Sequence, residues 1–312
     1  MSRILVNTKD LAREEWLEYR RLGIGGSDAA AIVGLNHYAT PYTLWADKTG
    51  RLPDREDSEA MRQGRDLEAY VASRFEEATR KKVRRRNVMF QHDEHDFILA
   101  DIDRGVVGEQ AGLECKTTSV MNLRKFKNGE FPDEYYVQCV HYLAVTGYRK
   151  WYLAVLVLNQ GFYVYEINRD EAEIAALIAA EKEFWETYVI PDVAPAVDGY
   201  VATSKAIDRI FTDAGGECEL IGSTAIQNYL ALKDTLRQIR QEMRKAEQQI
   251  KVELGECETG YCGDYTVRWR KYIRSSVSKE ALKKKYPKID LSKVMKASEF
   301  RRFSVKSKEE AN

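Results

Sequence analysis

The chain has 312 residues, 44% of them hydrophobic, which is enough for one substantial core or for one domain with an appended module. Lysine plus arginine and aspartate plus glutamate both number 49, so the formal net charge is zero and any surface that binds nucleic acid must be local. The five cysteines form no C-x-x-C pair, which argues against a zinc ribbon and against a secreted disulfide framework.

The sequence shows no secretory leader and no membrane span. Residues 1–16 do not resemble a signal peptide, and the longest apolar runs, such as 151–158, are far too short to cross a bilayer. We therefore expect a soluble intracellular protein that does not associate with membranes.

Amphipathic patterns predict a helical N-terminal part. In the first predicted helix, Leu11, Trp16 and Leu17 face the core. Ser27, followed by Asp28, is the predicted N-cap of a second helix, which is built of small residues. The predicted helices are 8–21, 29–33, 43–50 and 57–81.

The pattern then changes to period two and to β-forming residues. Three segments predict the first half of an antiparallel sheet: 87–91, 96–107 and 111–120. A helix over 133–146, with Gly147 as its C-cap, precedes two more strands at 150–159 and 161–168. A last helix over 169–189 completes the main domain.

A proline-containing stretch at 191–205 predicts two parts, a main domain at 1–200 and a C-terminal extension at 201–312. The extension begins with a helix whose apolar residues alternate spacings of three and four, which predicts packing on a partner helix or on the main domain. A hairpin at 260–274 and a basic tail at 268–308 follow. Aromatic and basic residues alternate in this hairpin, which suits DNA binding, partner docking or packing on the main domain.

Two acidic residues and one lysine form the candidate chemical site. Strand side chains alternate faces, so Glu114 and Lys116 point to one side and Cys115 to the other. If this strand pairs with the preceding one, Asp103 converges on Glu114. Two carboxylates repel each other unless a cation binds, so the group suits Mg²⁺-dependent phosphodiester hydrolysis, with Lys116 close to the nucleophile. The alternative is a solvated strand face, where such acid and lysine pairs are common.

Two further features are compatible with the same chemistry. Glu68 lies beside the apolar stripe of its helix, from which its carboxylate can reach the site, or it is an ordinary solvated glutamate. The basic run at 80–86 can contact a DNA backbone, or it forms a solvated face.

Three segments in order carry a family resemblance: 20–50, which contains "GIGGSDAAAIVG", 101–119, which contains "DIDRGVVGEQAGLECKTTS", and 135–147, "YYVQCVHYLAVTG". Together they resemble the YqaJ-type viral recombinase family, phage exonucleases related to lambda exonuclease. The resemblance covers roughly residues 10–190. It implies an α/β (α+β) fold with a PD-(D/E)xK nuclease core, in which helices flank a central mixed β-sheet.

The resemblance also implies an activity and its partners. The expected enzyme is a Mg²⁺-dependent exonuclease, with Mn²⁺ as a substitute, that degrades the 5′-ended strand of linear double-stranded DNA. The expected partners are double-stranded DNA ends, a single-strand annealing protein of the RecT/Bet type, and further copies of the chain in a ring-shaped trimer. The expected location is the cytoplasm of a bacterial host.

Position in the family motifs implies a role for each candidate residue. Asp103 resembles the metal-binding aspartate, Glu114 the second carboxylate and Lys116 the catalytic lysine. The carbonyl of Cys115 is expected as a backbone metal ligand, and Glu68 as a helix glutamate that holds metal or water.

The resemblance extends to the substrate end. Gln138 matches a glutamine that lies against the active site, and Arg20 with Ser27 resembles the pair that binds the 5′-phosphate. Asp101 stands where the related exonuclease has a serine, so it is either an extra metal ligand or a local variation.

Two other functions are compatible with the same fold. One is a structure-specific or site-specific DNA endonuclease, which needs no DNA end. The other is a catalytically silent DNA-binding adaptor for recombination.

Overall fold

The computed structural model describes residues 2–36, 38–53, 57–126, 128–212, 215–218, 220, 222, 224–276 and 278–286. The chain divides into two compact units, 1–214 and 215–312. No helix among these residues has the length and apolar character needed to cross a membrane.

The first unit contains two β-sheets. One has five strands in the order β2-β5-β6-β7-β8, and the other has three in the order β1-β3-β4. The strands are β1 Arg3–Asn7, β2 Val83–Arg85, β3 Val88–Gln91, β4 Leu99–Asp101, β5 Arg104–Val106, β6 Ala111–Thr118, β7 Lys150–Val157 and β8 Gly161–Asn168.

Helices cover both faces of the larger sheet. Those of the first unit are α1 Arg13–Arg21, α2 Gly26–Ile32, α3 Pro41–Lys48, α4 Glu59–Thr79, α5 Asp133–Thr146, α6 Glu171–Phe184 and α7 Val201–Ile210. A 3₁₀ helix spans Val120–Phe126, and a π-helical turn over Trp185–Val189 follows α6.

The larger sheet is mixed, and its one parallel pair lies at the centre. β6 and β7 are parallel, with Glu114 opposite Leu153 and Cys115 opposite Ala154, while the other neighbours are antiparallel. A parallel pair requires a crossover connection, and α5 supplies it. α5 and α6 pack on the face of Leu153, and α4 packs on the face of Ala154. This arrangement confirms the predicted α/β class with a central mixed sheet flanked by helices.

The predicted strand over 96–107 forms two strands in different sheets. β4 and β5 are separated at Ile102 and Asp103, because the Asp103 carboxylate accepts the backbone N–H of Cys115 and interrupts the regular ladder there. Beyond this break, β5 and β6 form the expected antiparallel pair. The prediction that the first strands form only an antiparallel sheet is wrong at β6, which also has a parallel neighbour.

The N-terminal helices also begin elsewhere than predicted. Helix α1 begins at Arg13 rather than at residue 8, because Arg3–Asn7 is recruited as a strand against β3. Helix α2 begins at Gly26 with Gly25 as N-cap, so the predicted capping role of Ser27 is wrong. Asp28, at the third position of the helix, accepts the Gly25 N–H at 3.0 Å, which is the reciprocal bond of a capping box. Helices α3 to α6 match their predicted segments to within a few residues, whereas α7 was not predicted.

The compact part of the first unit extends past the predicted boundary at residue 200. Helix α7 belongs to it, since Thr203 and Ala206 are buried and the Thr203 hydroxyl lies 2.7 Å from that of Thr40. The first unit therefore ends at residue 214.

The second unit contains the predicted long helix and hairpin. They are α8 Thr224–Leu254, β9 Thr259–Cys262, β10 Tyr265–Arg268 and a short α9 Lys279–Lys285. The apolar seam of α8, which includes Leu232 and Met243, is exposed, so its packing on a partner helix or on the main domain stays a prediction. The part of the predicted basic tail beyond residue 286 lies outside the described residues.

The contact between Gly112 and Trp151 gives a test of the central sheet. A Cβ at position 112 would lie 2.2 Å from Cη2 of the fully buried Trp151, so Gly112→Ala should lower the free energy of unfolding by about 1–3 kcal/mol. Gly64→Ala is the matched control, because a Cβ there meets nothing within 4 Å and should stabilise α4 by about 0.5–1 kcal/mol. Urea unfolding followed by tryptophan fluorescence measures both. Equal midpoints for wild type and Gly112→Ala would contradict the packing of β6 on β7.

Candidate active site

A cavity of about 510 Å³ opens beside the break between β4 and β5. It is walled by the ends of both sheets and by α1, α2, α4 and α5. Its acidic residues lie together with several arginines, and the charged and amide side chains that line it are Arg20, Arg65, Glu68, Arg85, Arg86, Asn87, Asp101, Asp103, Glu114 and Gln138.

Glu114 is the most deeply buried acid of this cavity, with a relative exposure of 3%. β6 points its side chain towards α5, where Gln138 Nε2 donates to Oε1 at 2.9 Å. The other carboxylate oxygen, Oε2, is buried and has no hydrogen-bond partner among the described residues. Because a buried charged oxygen without a partner is costly, Oε2 is suited to bind a cation or a donor in the cavity.

Lys116 follows Glu114 on the same side of β6, as the alternation predicts. Its Nζ lies 2.6 Å from Glu114 Oε1 and 5.3 Å from the ring centroid of Tyr135. Burial opposes the charged form of Lys116, but the charge and hydrogen bond of Glu114 outweigh burial and raise the pKa of the lysine. Lys116 is therefore a protonated donor at neutral pH.

Asp103 lies next to Glu114, across the antiparallel pair of β5 and β6. Its Oδ2 accepts the backbone N–H of Cys115 at 2.8 Å. Burial, followed by repulsion from Glu114 and Glu68, raises the pKa of Asp103 well above its usual range. A bound cation near Asp103 would offset this repulsion.

Glu68 reaches the cavity from α4. Its Oε1 lies 2.9 Å from Nη2 of Arg104 and 3.4 Å from Nη2 of Arg85. These arginines hold the carboxylate at the cavity wall, so its predicted role as a metal or water ligand would compete with two ion pairs.

Cys115 turns its side chain to the opposite face, as predicted, where it packs with the apolar residues under α4. Burial raises the pKa of its thiol well above the usual value, so the sulfur is a neutral packing group. The contribution of Cys115 to the site comes from its backbone, whose N–H fixes Asp103.

Arg20 and Ser27 meet at the start of α2, as predicted. Arg20 Nη2 donates to Ser27 Oγ at 2.9 Å and to Asp28 Oδ1 at 3.1 Å. Beneath them, Asp28 pairs with Lys48 at 2.7 Å, and the Lys48 side chain is only 1% exposed. Although burial favours the protonated acid, Lys48 and then Arg20 hold the pKa of Asp28 well below its usual range.

Helix α2 lies directly against α5 at this point. A Cβ on Gly26 would come within 2.6 Å of the Tyr142 ring and 3.1 Å of Gln138 Cγ, so only glycine allows this approach. Tyr142 accepts from Gln138 Nε2 at 2.7 Å. The residue that holds Glu114 is thus in contact with the first turn of α2.

Asp101 lines the cavity between these two groups. Its Oδ2 accepts the indole N–H of Trp16 at 2.7 Å, and Arg20 stacks on the Trp16 ring with its guanidinium carbon 5.1 Å from the centroid. Burial raises the pKa of Asp101, which the Trp16 hydrogen bond and the charge of Arg20 partly oppose. Trp16, predicted to face the core, instead links α1 to the acidic cluster.

The structure brings the predicted site residues to one place. Six of the eight line the cavity itself: Arg20, Ser27, Glu68, Asp103, Glu114 and Gln138. Of the remaining two, Lys116 contacts Glu114 and Cys115 contacts Asp103. Their catalytic and metal-binding roles stay predictions.

Some residues of the site were missed by the sequence analysis. Trp16 lies four residues before Arg20, and Tyr142 four after Gln138, so helical spacing could have placed each beside its neighbour. Nothing local in the sequence indicates that Lys48 pairs with Asp28, because that contact depends on how α3 packs.

Comparison with known proteins identifies the family. The YqaJ-like viral recombinase domain matches residues 15–149. A protein of Bacillus subtilis (strain 168), named "Uncharacterized protein YqaJ", is 41% identical over 311 residues, which is 97% of either chain. This chain belongs to the YqaJ-like viral recombinase family.

Solved structures of two exonucleases are also similar. The alkaline exonuclease LHK-Exo from Laribacter hongkongensis matches with a TM-score of 0.47 and 21% identity over 56% of this chain and 91% of that one. A phage-related exonuclease from Haemophilus somnus 129PT matches with a TM-score of 0.40 and 14% identity over 55% of this chain and 97% of that one.

The pairing of Asp28 with Lys48 predicts a pH-dependent contribution to stability. Asp28→Asn leaves Lys48 without its buried partner and should cost about 3 kcal/mol at pH 7. Because the folded-state pKa of Asp28 lies below the usual 3.8, this contribution is complete above that pH and is lost as the pH falls. In urea unfolding at pH 3, the free energies of unfolding of Asp28→Asn and wild type should therefore differ by about 1 kcal/mol less than they do at pH 7.

The control for this measurement is Asp66→Asn, which changes an exposed aspartate on α4. It should alter the free energy of unfolding by less than about 0.5 kcal/mol at either pH. A cost for Asp28→Asn that is the same at pH 7 and pH 3 would contradict the ion pair.

Proposed function

We propose that this protein is a Mg²⁺-dependent exonuclease that degrades the 5′-ended strand of linear double-stranded DNA. The observation that carries the proposal is the single cavity shared by Asp103, Glu114 and the Arg20 and Ser27 pair, with Lys116 bonded to Glu114. An acidic group beside an arginine at a helix N-terminus suits a substrate whose terminal phosphate is held next to the bond to be cut. Membership of a viral recombinase family supports an enzyme that processes DNA.

The donor set of the site fits Mg²⁺. Among the described residues, no three Asp, Glu, His or Cys side chains already form a closed metal cage. Mg²⁺ does not need one, since it keeps several waters and binds through one or two carboxylates and substrate phosphate oxygens. Asp103 and the unpartnered Oε2 of Glu114 are the two carboxylate groups that would hold it, with the carbonyl of Cys115 as a further oxygen ligand. Mn²⁺ has similar ligand preferences and is the expected substitute.

When bound, Mg²⁺ supplies Lewis acidity, which lowers the pKa of a bound water and offsets negative charge on the phosphate. The residues of the chain supply position and charge. Gln138 fixes Glu114 Oε1 and leaves Oε2 without a donor from the described residues. Lys116 is protonated and can donate to the attacking water or to a phosphate oxygen while charge develops there.

The position of Arg20 and Ser27 accounts for the preference for a 5′ end. Both side chains are tied to α2, whose first turn contacts Gln138 through Gly26. A terminal phosphate held by this pair would bring the adjoining phosphodiester towards Asp103 and Glu114. An internal site in an intact duplex has no terminal phosphate to place there.

We extend the proposal to the assembly on the strength of family membership. Resection of the 5′-ended strand leaves a 3′ overhang, which is the substrate of a single-strand annealing protein. A ring-shaped trimer would enclose the duplex and allow repeated cleavage. The expected setting is the cytoplasm of a bacterial host.

Lys116→Ala is the decisive variant for the activity. It removes one charge-stabilising donor, so kcat on linear duplex should fall by about 10²–10³-fold in the presence of Mg²⁺. Lys182→Ala, at an exposed lysine on α6, is the matched control and should retain wild-type activity. The assay uses linear duplex with a 5′-phosphate on one strand only and labels on both, so that polarity and end requirement are measured together.

The same assay separates the alternatives. An exonuclease leaves covalently closed circular plasmid intact, whereas an endonuclease of the same fold cuts it. Wild-type protein that binds duplex ends but cleaves neither substrate with Mg²⁺ or Mn²⁺ would favour the catalytically silent adaptor.

Affinity for Mg²⁺ should rise with pH. The pKa of Asp103 is raised, so protons compete with the cation over a range in which an ordinary aspartate is already ionised. Calorimetric titration at pH 5.5 and pH 8 should show tighter binding at pH 8. Asp103→Asn should weaken binding and remove most of this pH dependence, and an unchanged affinity in that variant would contradict the metal site.

A further inference from the structure

Arg86 occupies a distinctive position in the wall of the active-site cavity. It lies between β2 and β3, and its Nη2 donates to the hydroxyl of Tyr148 at 2.8 Å. Its Nε is buried and has no hydrogen-bond partner among the described residues. A buried donor on a charged group that lacks an acceptor is costly, so an acceptor for Nε would remove a penalty already present in the fold.

The charge of Arg86 also lacks a counterpart. Each of the other arginines that line the cavity has a carboxylate partner, the pairs being Arg20 with Asp28, Arg65 with Asp57, and Arg85 with Glu68. In the part of the chain that the structure describes, Arg86 has no carboxylate within ion-pair distance. It is therefore the cavity arginine whose charge is most available to an anion.

The backbone of β5 fixes the Arg86 side chain. A Cβ on Gly105 would lie 3.1 Å from Arg86 Nε and 3.5 Å from its Cγ, so the side chain lies flat on the strand at this glycine. With Nη2 held by Tyr148 at the other side, the guanidinium has little freedom. A preorganised guanidinium loses less entropy when it binds a ligand.

Arg86 and Arg20 are held by different elements. Arg20 stacks on Trp16, which bonds to Asp101. Arg86 lies on Gly105 of β5, and its Nη2 bonds to Tyr148, which follows α5. Both arginines line the cavity together with Asp101, Asp103 and Glu114.

We propose that Arg86 binds a second, non-terminal backbone phosphate of the DNA strand being cut. This inference rests on the proposed function, since it takes DNA as the substrate, and it adds a phosphate site distinct from that of Arg20 and Ser27. A strand held at both sites has its intervening phosphodiester placed at Asp103 and Glu114. A free 5′-phosphate or a mononucleotide cannot occupy both sites, so it binds more weakly than an oligonucleotide.

The test measures binding of a fluorescent duplex end in EDTA, where no hydrolysis occurs, by fluorescence anisotropy. Arg86→Gln should raise Kd by about 10-fold and should reduce the slope of log K against log salt by about one phosphate contact. Arg84→Gln is the matched control, since Arg84 is an exposed arginine of the same basic run that does not line the cavity. It should change Kd by less than about twofold.

Neutral methylphosphonate linkages locate the contact. A series of duplexes is used, each with one such linkage at a different position of the 5′-ended strand. One further duplex lacks the 5′-phosphate. The effect of Arg86→Gln on the binding free energy should be non-additive with the effect of one internal linkage. It should be additive with the effect of removing the 5′-phosphate. Arg20→Gln should show the reverse. Additivity of Arg86→Gln with every internal linkage, or coupling to the 5′-phosphate, would overturn the proposal.

A purely structural role of Arg86 gives a different result. Tyr148→Phe removes the hydrogen bond at Nη2 but keeps the guanidinium charge, so Kd should stay within about threefold of wild type and the internal coupling should persist. If Tyr148→Phe matches Arg86→Gln and neither couples to a linkage, Arg86 only supports the fold. If the wild-type protein does not bind duplex ends, the proposed function itself fails. If the wild-type protein binds and digests duplex DNA and neither property changes in Arg86→Gln, only the proposal for Arg86 fails.

Discussion

The burial of the Glu114 carboxylate is the constraint on which this site depends. A charge taken out of water is tolerated only when nearby groups compensate for it. Gln138 and Lys116 compensate one oxygen, and the other has no hydrogen-bond partner among the described residues. Gln138 can do so because α5 crosses over the sheet to connect the parallel strands β6 and β7. The helix that connects the two parallel strands therefore also supplies the side chain that holds the buried acid.

Charge compensation divides the surrounding residues into two groups. At the margins, acids are paired with cations, as Asp28 is with Lys48 and Glu68 with Arg104. At the centre, burial and the neighbouring charges of Glu114 and Glu68 raise the pKa of Asp103, and the backbone N–H of Cys115 opposes this only in part. Negative charge is thus concentrated where the proposed cation binds, while the arginines of the wall favour a polyanion. A net charge of zero for the whole chain conceals this local separation.

Sequence patterns predicted the parts of this site that depend on local periodicity. The alternation of β6 placed Glu114 and Lys116 on one face, and helical spacing located α4 and α5. Parts that depend on distant partners were not predictable. Strand β1 is short and carries no clear alternation, and its pairing with β3 determines where α1 begins. The break before β5 depends on a side chain replacing a backbone acceptor, for which no periodic signal exists. The basic run was recognised, but its pattern does not distinguish Arg86 in the cavity from Arg84 in solvent.

The absence of a side chain at Gly26 fixes a distance within the site. The backbone of α2 packs there directly against the Tyr142 ring and Gln138 of α5, and Gln138 holds Glu114, so the span from the start of α2 to the buried acid depends on this contact. In the proposed exonuclease, this span would act as a molecular ruler that measures a fixed length of nucleic acid regardless of base identity. A larger residue at position 26 would then lengthen the interval between the end of a strand and the bond that is cut.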